Sequence, residues 1–458
     1  MTATSEALEA AGDKVLLFDT HGHSRTGNEL LESVGKVAGA LHDAGLSERA
    51  IGYWYTNSIA AFEAALAIEW VGGTRVPVDP GAAVTEAQAI WSAAGVMGRI
   101  SDAAHAKGIP VDVIHDDDTP AHGAARGPLK SVPSQRTYLL YPRAVQSGEL
   151  LAVPISYGNW EATMMLNTAL YRSGAYGPGF GEDECFLTVQ QLMHGTGLVG
   201  SFPFLRMGLA QYVFEQFDAD HVLDLIEDGS ITSTMMVTAM VERLADKLDE
   251  RPRSLGNLRR LLYGGAPMPA ERLQHVSALM PDVLVQIYGR LEGGWPLAVL
   301  DQQAHAAIAQ GDPRVTSCGQ PVAGLELALR SGGEVAVRSA MVVDEFADPD
   351  GWCGLGDVGM LDDGHLYLRG RLDRMINTGY HVYPSEIEAV IREIDEVDDV
   401  LVHGEPDPKW GERVVAVVAS GEADAVALKA RLDAHVRSRL AAYKAPRKYV
   451  VVNQLPAT

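Results

Sequence analysis

Four groups of residues have types and spacings that can do chemistry. In the run GDVGMLDDGHLYLRGRLDRMINTGYHVYPSEIE, from Gly356 to Glu388, Asp357 offers a carboxylate acceptor and Arg371 a guanidinium fork of donors. Such a pair suits hydroxyl groups, and equally a plain surface ion pair. In Gly264-Gly265-Ala266-Pro267-Met268-Pro269 the glycines let backbone groups approach a flat ring, or simply turn a strand into a helix capped by Pro269. Met193-His194-Gly195 holds a lone histidine, which is either a polar site group or a satisfied packing residue. Tyr288-Gly289, with Glu292 just after it, places an aromatic face and a carboxylate close together in sequence.

These residues need elements to hold them. Met360-Leu361 and Leu366-Tyr367-Leu368 read as two strands joined through Asp362-Asp363-Gly364, a favoured hairpin turn. A helix then opens at Pro384 and Ser385, with Ser385 and Glu388 at the spacing of a capping box. Upstream, Leu30, Leu31, Val34, Val37, Ala38 and Leu41 recur at helical spacing over residues 28–44, and Gly45 stands where a C-cap glycine sits. Strands are expected at 51–55 and 75–78 around a helix at 60–70. The alternation resumes with strands at 138–141, 185–189, 212–214, 231–237, 258–263 and 284–287, and a helix from about Asn159. It implies parallel βαβ units. Residues 115–127, rich in Asp and Ala, read as a surface connection. Beyond Asp373, strands at 400–402, 414–418 and 449–452 and a helix at 425–440 form a compact α+β segment.

Composition narrows the function classes. With 458 residues the chain has room for about three domain-sized units, and 47% hydrophobic with 21% charged content is ordinary for a globular protein. Sixty acidic against 37 basic groups, a formal net charge of -23, argue against nucleic-acid partners and anionic membrane surfaces. Any phosphate site must therefore depend on local donors. Cys185, Cys318 and Cys353 form no CxxC pair and read as buried free thiols of a reducing, cytoplasmic compartment. The polar, alanine-rich start has no signal-peptide pattern, and no run of about 18 apolar residues suggests a bilayer span.

The ordered set Gly356-Asp357, Asp363-Gly364, Gly370-Arg371, Asp373, Gly379, Pro384 and Glu386-Ile387-Glu388 resembles the adenylate-forming superfamily of acyl-CoA and aryl-CoA synthetases, peptide-synthetase adenylation domains and luciferases. The 193–195 and 264–269 loops, Tyr288-Gly289, Glu292, Cys318-Gly319-Gln320-Pro321, Trp410-Gly411-Glu412 and Lys444-Ala445-Pro446 extend the resemblance over most of the chain. It implies an α/β protein whose N-terminal body, residues 1–372, has two parallel-sheet αβαβα subdomains and a small β-rich subdomain. A small mobile α+β lid, residues 373–458, would follow, hinged at Asp373. The resemblance also implies roles. Asp357 and Arg371 would take the ribose of AMP, Tyr288 with Gly289 the adenine face, and Gly264, Gly265, Ala266 and Pro267 its edge. Glu292 would be a metal ligand, with Mg²⁺ itself left open. His194 would orient the acyl carbonyl, and Gly379 would line a pantetheine tunnel that a side chain would obstruct.

Three departures from the family pattern share a direction. Members that activate acids with ATP carry a Ser/Thr/Gly-rich loop ending in Pro-Lys-Gly after the strand at 138–141. Here residues 142–151 read Pro-Arg-Ala-Val-Gln-Ser-Gly-Glu-Leu-Leu, with one glycine, no lysine, and Glu149 where a polyphosphate would lie. A carboxylate repels what glycine-loop amides cradle. Each charge-assisted bond lost is worth roughly 1.5 to 3 kcal/mol, so the β and γ phosphates of ATP would be poorly held. Leu291 and Leu355 replace threonines of the pattern. Last, the sequence stops at Thr458, before the Gly-Lys segment that follows Leu-Pro in the family, and whether that lysine is absent by nature or lies beyond the given sequence stays open.

The nucleoside-facing positions persist and the polyphosphate-facing ones do not. That selectivity leads to the expectation of an acyl-CoA ligase confined to the thioesterification half-reaction, acyl-AMP plus CoA giving acyl-CoA plus AMP. A separate adenylating enzyme would supply the acyl-adenylate, as suits a dedicated natural-product pathway. The acceptor is CoA or another pantetheine bearer. Two alternatives remain: a complete ATP-dependent synthetase with an atypical phosphate loop, and a non-catalytic protein that binds an acyl-adenylate.

Overall fold

The alternation of short apolar runs with helices builds two largely parallel sheets. The computed structural model describes residues 3–107, 109–129, 131–144, 150–372, 376–377, 381–382, 384–407, 411–421, 424–440 and 444–455. One sheet has six strands in the order Val113–Ile114, Gly98–Ser101, Ala50–Trp54, Thr74–Pro77, Thr137–Ala144, Leu150–Ser156, antiparallel only at the last pair. The other has nine, with Cys185–Thr188, Ser233–Val237, Arg260–Gly264 and Leu284–Arg290 parallel at its centre. The α/β class, with parallel sheets and a small C-terminal α+β domain, is the one observed.

The helix Ile59–Trp70 shows why the sheets share a core. All 12 of its residues are buried, as expected of a helix apolar on every side. Phe62 joins Tyr53 from one sheet and Phe186 and Met235 from the other in a single apolar cluster. Its two acids are the exception to the pattern. Glu63 is neutralised by Arg25 at 3.0 Å and accepts from His115 at 2.8 Å.

Two compact units divide the chain: Met1–Glu326 with Arg338–Cys353, and Leu327–Val337 with Gly354–Thr458. The second holds most of a four-stranded sheet ending in Cys353–Asp362 and His365–Arg371. It also holds a three-stranded sheet, Asp399–Asp407, Gly411–Ala419 and Lys448–Val452, packed with the helices Pro384–Ile391 and Ala425–Arg439 around Ile387, Val402, Val418 and Leu432. A hinge at Asp373 falls outside the described residues.

Three local expectations need correction. Ser385 is inside the helix Pro384–Ile391, so it makes no capping box: its hydroxyl donates to Arg369 O at 2.7 Å, and Glu388 instead accepts from Val402 N–H at 2.9 Å. A capping box does form at Thr26 and Glu29, opening the helix Gly27–Asp43. Residues 115–127 are no simple surface connection, because His115 is fully buried and Arg126 N–H donates to Gly35 O at 3.0 Å. Among the free cysteines only Cys353 is buried, and Cys185 and Cys318 are half-buried. The polar start forms the helix Ala3–Ala11, which buries Leu8. Among the described residues no helix is long and apolar enough to cross a membrane.

Candidate active site

In the first unit, candidate residues gather at the carboxyl ends of parallel strands, where α/β sheets place ligands. Strand Arg260–Gly264 pairs with Leu284–Arg290 through Gly264↔Ile287, so Tyr288 follows at the same end. A Cβ at Gly264 would stand 2.4 Å from Ile287 O, and only hydrogen fits there. The chain leaves the sheet at Gly265, whose φ of +91° disfavours any side chain. Residues 265–267 are exposed, while Met268 is buried. Thr238, a residue the sequence did not mark, pins this loop: its hydroxyl is 2.7 Å from Ala266 O and 3.3 Å from Gly264 O. The loop thus offers exposed backbone beside the nearly buried Tyr288 ring.

His194 starts the helix Gly195–Arg206 as its N-cap. Its Nδ1 is 2.9 Å from the Tyr141 hydroxyl, and its Nε2 is 3.8 Å from Asp79 Oδ2. Burial lowers its pKa below the usual histidine range, with Asp79 opposing, so the ring is neutral at pH 7. The preceding loop is tied by buried Asn57, which donates to Gln190 O at 2.9 Å and accepts from Leu192 N–H at 2.9 Å. Trp295 lies against the 195 and 289 positions, where a Cβ would approach it to 2.8 and 2.4 Å. Tyr141, Asp79, Asn57 and Trp295 escaped sequence reasoning. Only Asp79-Pro80, at the end of an expected strand, carried any signal.

Glu292 is buried, its backbone carbonyl accepting from Val343 N–H at 3.0 Å and its carboxylate 3.8 Å from Arg290 Nε. It belongs to no cluster of three metal-ligating side chains among the described residues. A resident magnesium held by protein groups alone would need more ligands than this one carboxylate supplies.

In the second unit, the antiparallel hairpin pairs Asp357 with Arg371 directly. Asp363 and Gly364, at φ 46° and 74°, form the turn that sets the register from Asp362↔His365 to Gly359↔Leu368, and a bulge at Arg369 then shifts it by one so that Asp357 meets Arg371. Asp357 is 5% exposed, and its Oδ1 is 3.2 Å from Arg371 Nη1. Glu334 supports the turn beside it by accepting from Gly356 N–H at 3.3 Å. The sequence-marked pair is thus brought together. Asp373 and Gly379 lie outside the described residues.

The positions expected to face phosphates have a different character. Strand Thr137–Ala144 turns back as Leu150–Ser156, with pairs Tyr141↔Val153, Pro142↔Ala152, Arg143↔Leu151 and Ala144↔Leu150. Residues 145–149 lie outside the described part. Leu291 packs against the apolar core, and Leu355 is buried.

The chain is similar to known proteins. Residues 148–341 match the family of AMP-binding enzymes, and residues 386–458 match the AMP-binding enzyme C-terminal domain. The chain is 32% identical over 300 residues to the medium/long-chain-fatty-acid–CoA ligase FadD8 of Mycobacterium tuberculosis, covering 60% of this chain and 52% of that one. The match thus spans about half the length of that relative. Among solved structures, the amide bond synthetase McbA of Marinactinospora thermotolerans is 26% identical with a TM-score of 0.82, covering 100% of this chain and 97% of that one. The o-succinylbenzoate CoA synthetase of Bacillus subtilis, in complex with its acyl-adenylate intermediate, shares the fold at 22% identity and a TM-score of 0.85, covering 99% and 95%. With both of these family models matched, together over more than half of its length, the chain belongs to the family of AMP-binding enzymes.

Proposed function

We propose that this protein is an acyl-CoA ligase that performs the thioesterification half-reaction and takes its acyl-adenylate from a separate adenylating enzyme. The thiol sulfur of CoA adds to the acyl carbonyl carbon, the bond from that carbon to the phosphate oxygen breaks, AMP leaves with the electron pair, and the thiol proton passes to solvent. AMP is a good leaving group, so positioning the thiol supplies much of the remaining catalysis. Thiols near pH 8 ionise partly unaided, and no dedicated base is required.

The observation that carries this reading is the hairpin after Tyr141. Its backbone is committed to strand pairing up to Ala144 and again from Leu150, and amides tied in a ladder are not free to cradle phosphate oxygens. The aliphatic Leu291, packed into the core where the family pattern has a threonine, supports it. In this reading Asp357 and Arg371 take the ribose, Tyr288 and the 264–267 loop take adenine, Asp373 is the pivot of the lid, and Gly379 lines the pantetheine tunnel. A cytoplasmic location is part of the same proposal.

The likeness to an amide bond synthetase favours a second reading, in which an amine takes the place of the thiol. One experiment addresses both. Purified protein receives a panel of carboxylic acids with Mg-ATP, or the same acids as preformed acyl-adenylates, each with CoA or with simple amines, and products are followed by mass spectrometry. Thioester from adenylates alone is the expected result. Thioester from acid plus ATP would refute the half-reaction, and amide in place of thioester would replace the acceptor.

A further inference from the structure

The environment of His194 does more than half-bury it. Both ring nitrogens have a neighbour, and one tautomer satisfies both of them. Burial raises the Tyr141 phenol above its usual pKa, so the hydroxyl keeps its proton and has one to donate to Nδ1 at 2.9 Å. On the other side the Asp79 carboxylate stands 3.8 Å from Nε2 and favours a proton there. A carboxylate has nothing to donate, so an Nε2 lone pair facing it would be repelled. The ring also sits at the positive end of the helix Gly195–Arg206, which disfavours imidazolium. Its loop is fixed by Asn57 from two sides, with His194 N–H donating to Gln191 O at 2.9 Å. This ring is held in place before any substrate arrives.

We propose that Tyr141 is a positioning residue that fixes His194 as a neutral hydrogen-bond donor through Nε2, leaving that N–H for the carbonyl oxygen of the acyl group. The inference rests on the reading that an acyl-adenylate occupies this site, and it assigns His194 a task distinct from that of a base. When the thiol sulfur adds to the carbonyl carbon, the oxygen gains negative charge, which Nε2–H stabilises. When AMP departs, the charge returns to the carbonyl. No proton leaves His194 at either stage, and Asp79, exposed on the far side, yields its place to the substrate oxygen.

The test reads the tautomer directly. Protein labelled with ¹⁵N-histidine, free of ligand, should show His194 with Nδ1 bare and Nε2 protonated near pH 7. Tyr141→Phe should give a mixture of tautomers at unchanged melting temperature. It should lower kcat for thioester formation about tenfold with KM for the acyl-adenylate unchanged, the value of one neutral hydrogen bond. Glutamine mimics an Nε2 donor and asparagine an Nδ1 donor, so His194→Gln should lose less activity than His194→Asn. A merely structural histidine would not produce that ordering. A proton on Nδ1 in the unmodified protein, or a Tyr141→Phe variant with both tautomer and kcat unchanged, would overturn the proposal. Titration with an acyl-sulfamoyl adenosine keeps this separate from the proposed reaction. The Nε2–H resonance should move on binding even without turnover, and a resonance that stays put while the analogue binds would remove the donor role.

Discussion

Gly264 and Gly265 are adjacent, and geometry predicts that they fail differently when given a methyl group. At Gly264 the new carbon would stand 2.4 Å from Ile287 O and 3.3 Å from Ile287 Cγ1, where ordinary contact begins near 3.4 Å. Ile287 is on the paired strand, so relief requires the two strands to part by about 1 Å at the end of their ladder. Overpacking of this kind costs about 1–3 kcal/mol, and one stretched ladder bond adds about 1 kcal/mol, giving roughly 2–4 kcal/mol for Gly264→Ala. At Gly265 the nearest atom is Val237 Cγ1 at 3.8 Å, so there is room, but φ is +91°. The strain there is about 1–2 kcal/mol and is relieved by moving an exposed loop that Thr238 restrains through Ala266 O. Calorimetry should show Gly264→Ala melting about 4–8 °C lower and Gly265→Ala about 2–4 °C lower, at roughly 2 °C per kcal/mol for a unit of this size. Isothermal titration with AMP should show the reverse weighting: Gly265→Ala loses about tenfold in affinity, because its strain is released by displacing the backbone proposed to meet the adenine edge. If Gly265→Ala is the less stable of the two, or Gly264→Ala melts with the unmodified protein, the account of this loop is wrong.

Asp357→Asn should weaken AMP binding by about 1.5–3 kcal/mol, roughly 10- to 100-fold, as expected for loss of charge-assisted bonds to hydroxyls. It should leave 2′,3′-dideoxy-AMP unaffected, and equal losses for both nucleotides would argue against a ribose contact. The pH dependence of stability contains two opposed contributions. His305, buried against Tyr263 and Asp301, has its pKa pushed down to about 4 by burial, so between pH 6.5 and about 4 the unfolded chain takes a proton that the folded chain refuses. Its contribution is full above pH 6.5 and falls with pH, by on the order of 3 kcal/mol, and His305→Gln should flatten that limb in urea titrations. Asp117 is raised to about 6, by burial first and then by Glu63, so its contribution is full below pH 3.8 and is lost as pH rises through about 6. Asp117→Asn, which keeps an acceptor for Ala60 N–H, should therefore be the more stable protein at pH 7 and lose that advantage below pH 4.

Periodicity and turn chemistry were enough for the alternating core. The helix Gly27–Asp43, the strands at 50–54 and 74–77 and the 353–371 hairpin fall within a residue or two of expectation or extend it, because each has an apolar face and a local stop signal. The Asp357–Arg371 pair was marked by the family resemblance and not by local pattern: the Asp-Gly turn alone would set Asp357 opposite Gly370, and a one-residue bulge in the second strand brings Arg371 there. Residues that act across long sequence separations were not legible. Asn57 ties a loop more than a hundred positions away, and Tyr141 meets His194 from another strand, so neither leaves a local pattern. Strand Val15–Asp19 was missed because its five residues follow a polar helix, and nothing local shows that it pairs with Ala210–Val213. Ser385 failed for the opposite reason, because a strong local signal was overridden by a tertiary acceptor, Arg369 O.

Charge gives a last test of the proposed substrates. AMP and CoA are both anions, and this protein carries a formal charge of -23. In a low-salt buffer the protein's field extends across its surface, and screening shortens it to about 10 Å at 0.1 M salt. If CoA is the acceptor, the summed field opposes its approach, and the encounter rate should rise as salt is added. The ratio kcat/KM for CoA should therefore increase between low and moderate ionic strength. That for pantetheine, which has the same thiol without the phosphates, should stay flat. The contrast separates field from chemistry, because both acceptors present one sulfur to one acyl carbonyl. A kcat/KM for CoA that falls with salt would mean that a local cluster of basic groups outweighs the global field along the acceptor's path. A dependence shared by both acceptors would place the salt effect on the adenylate or on the protein itself.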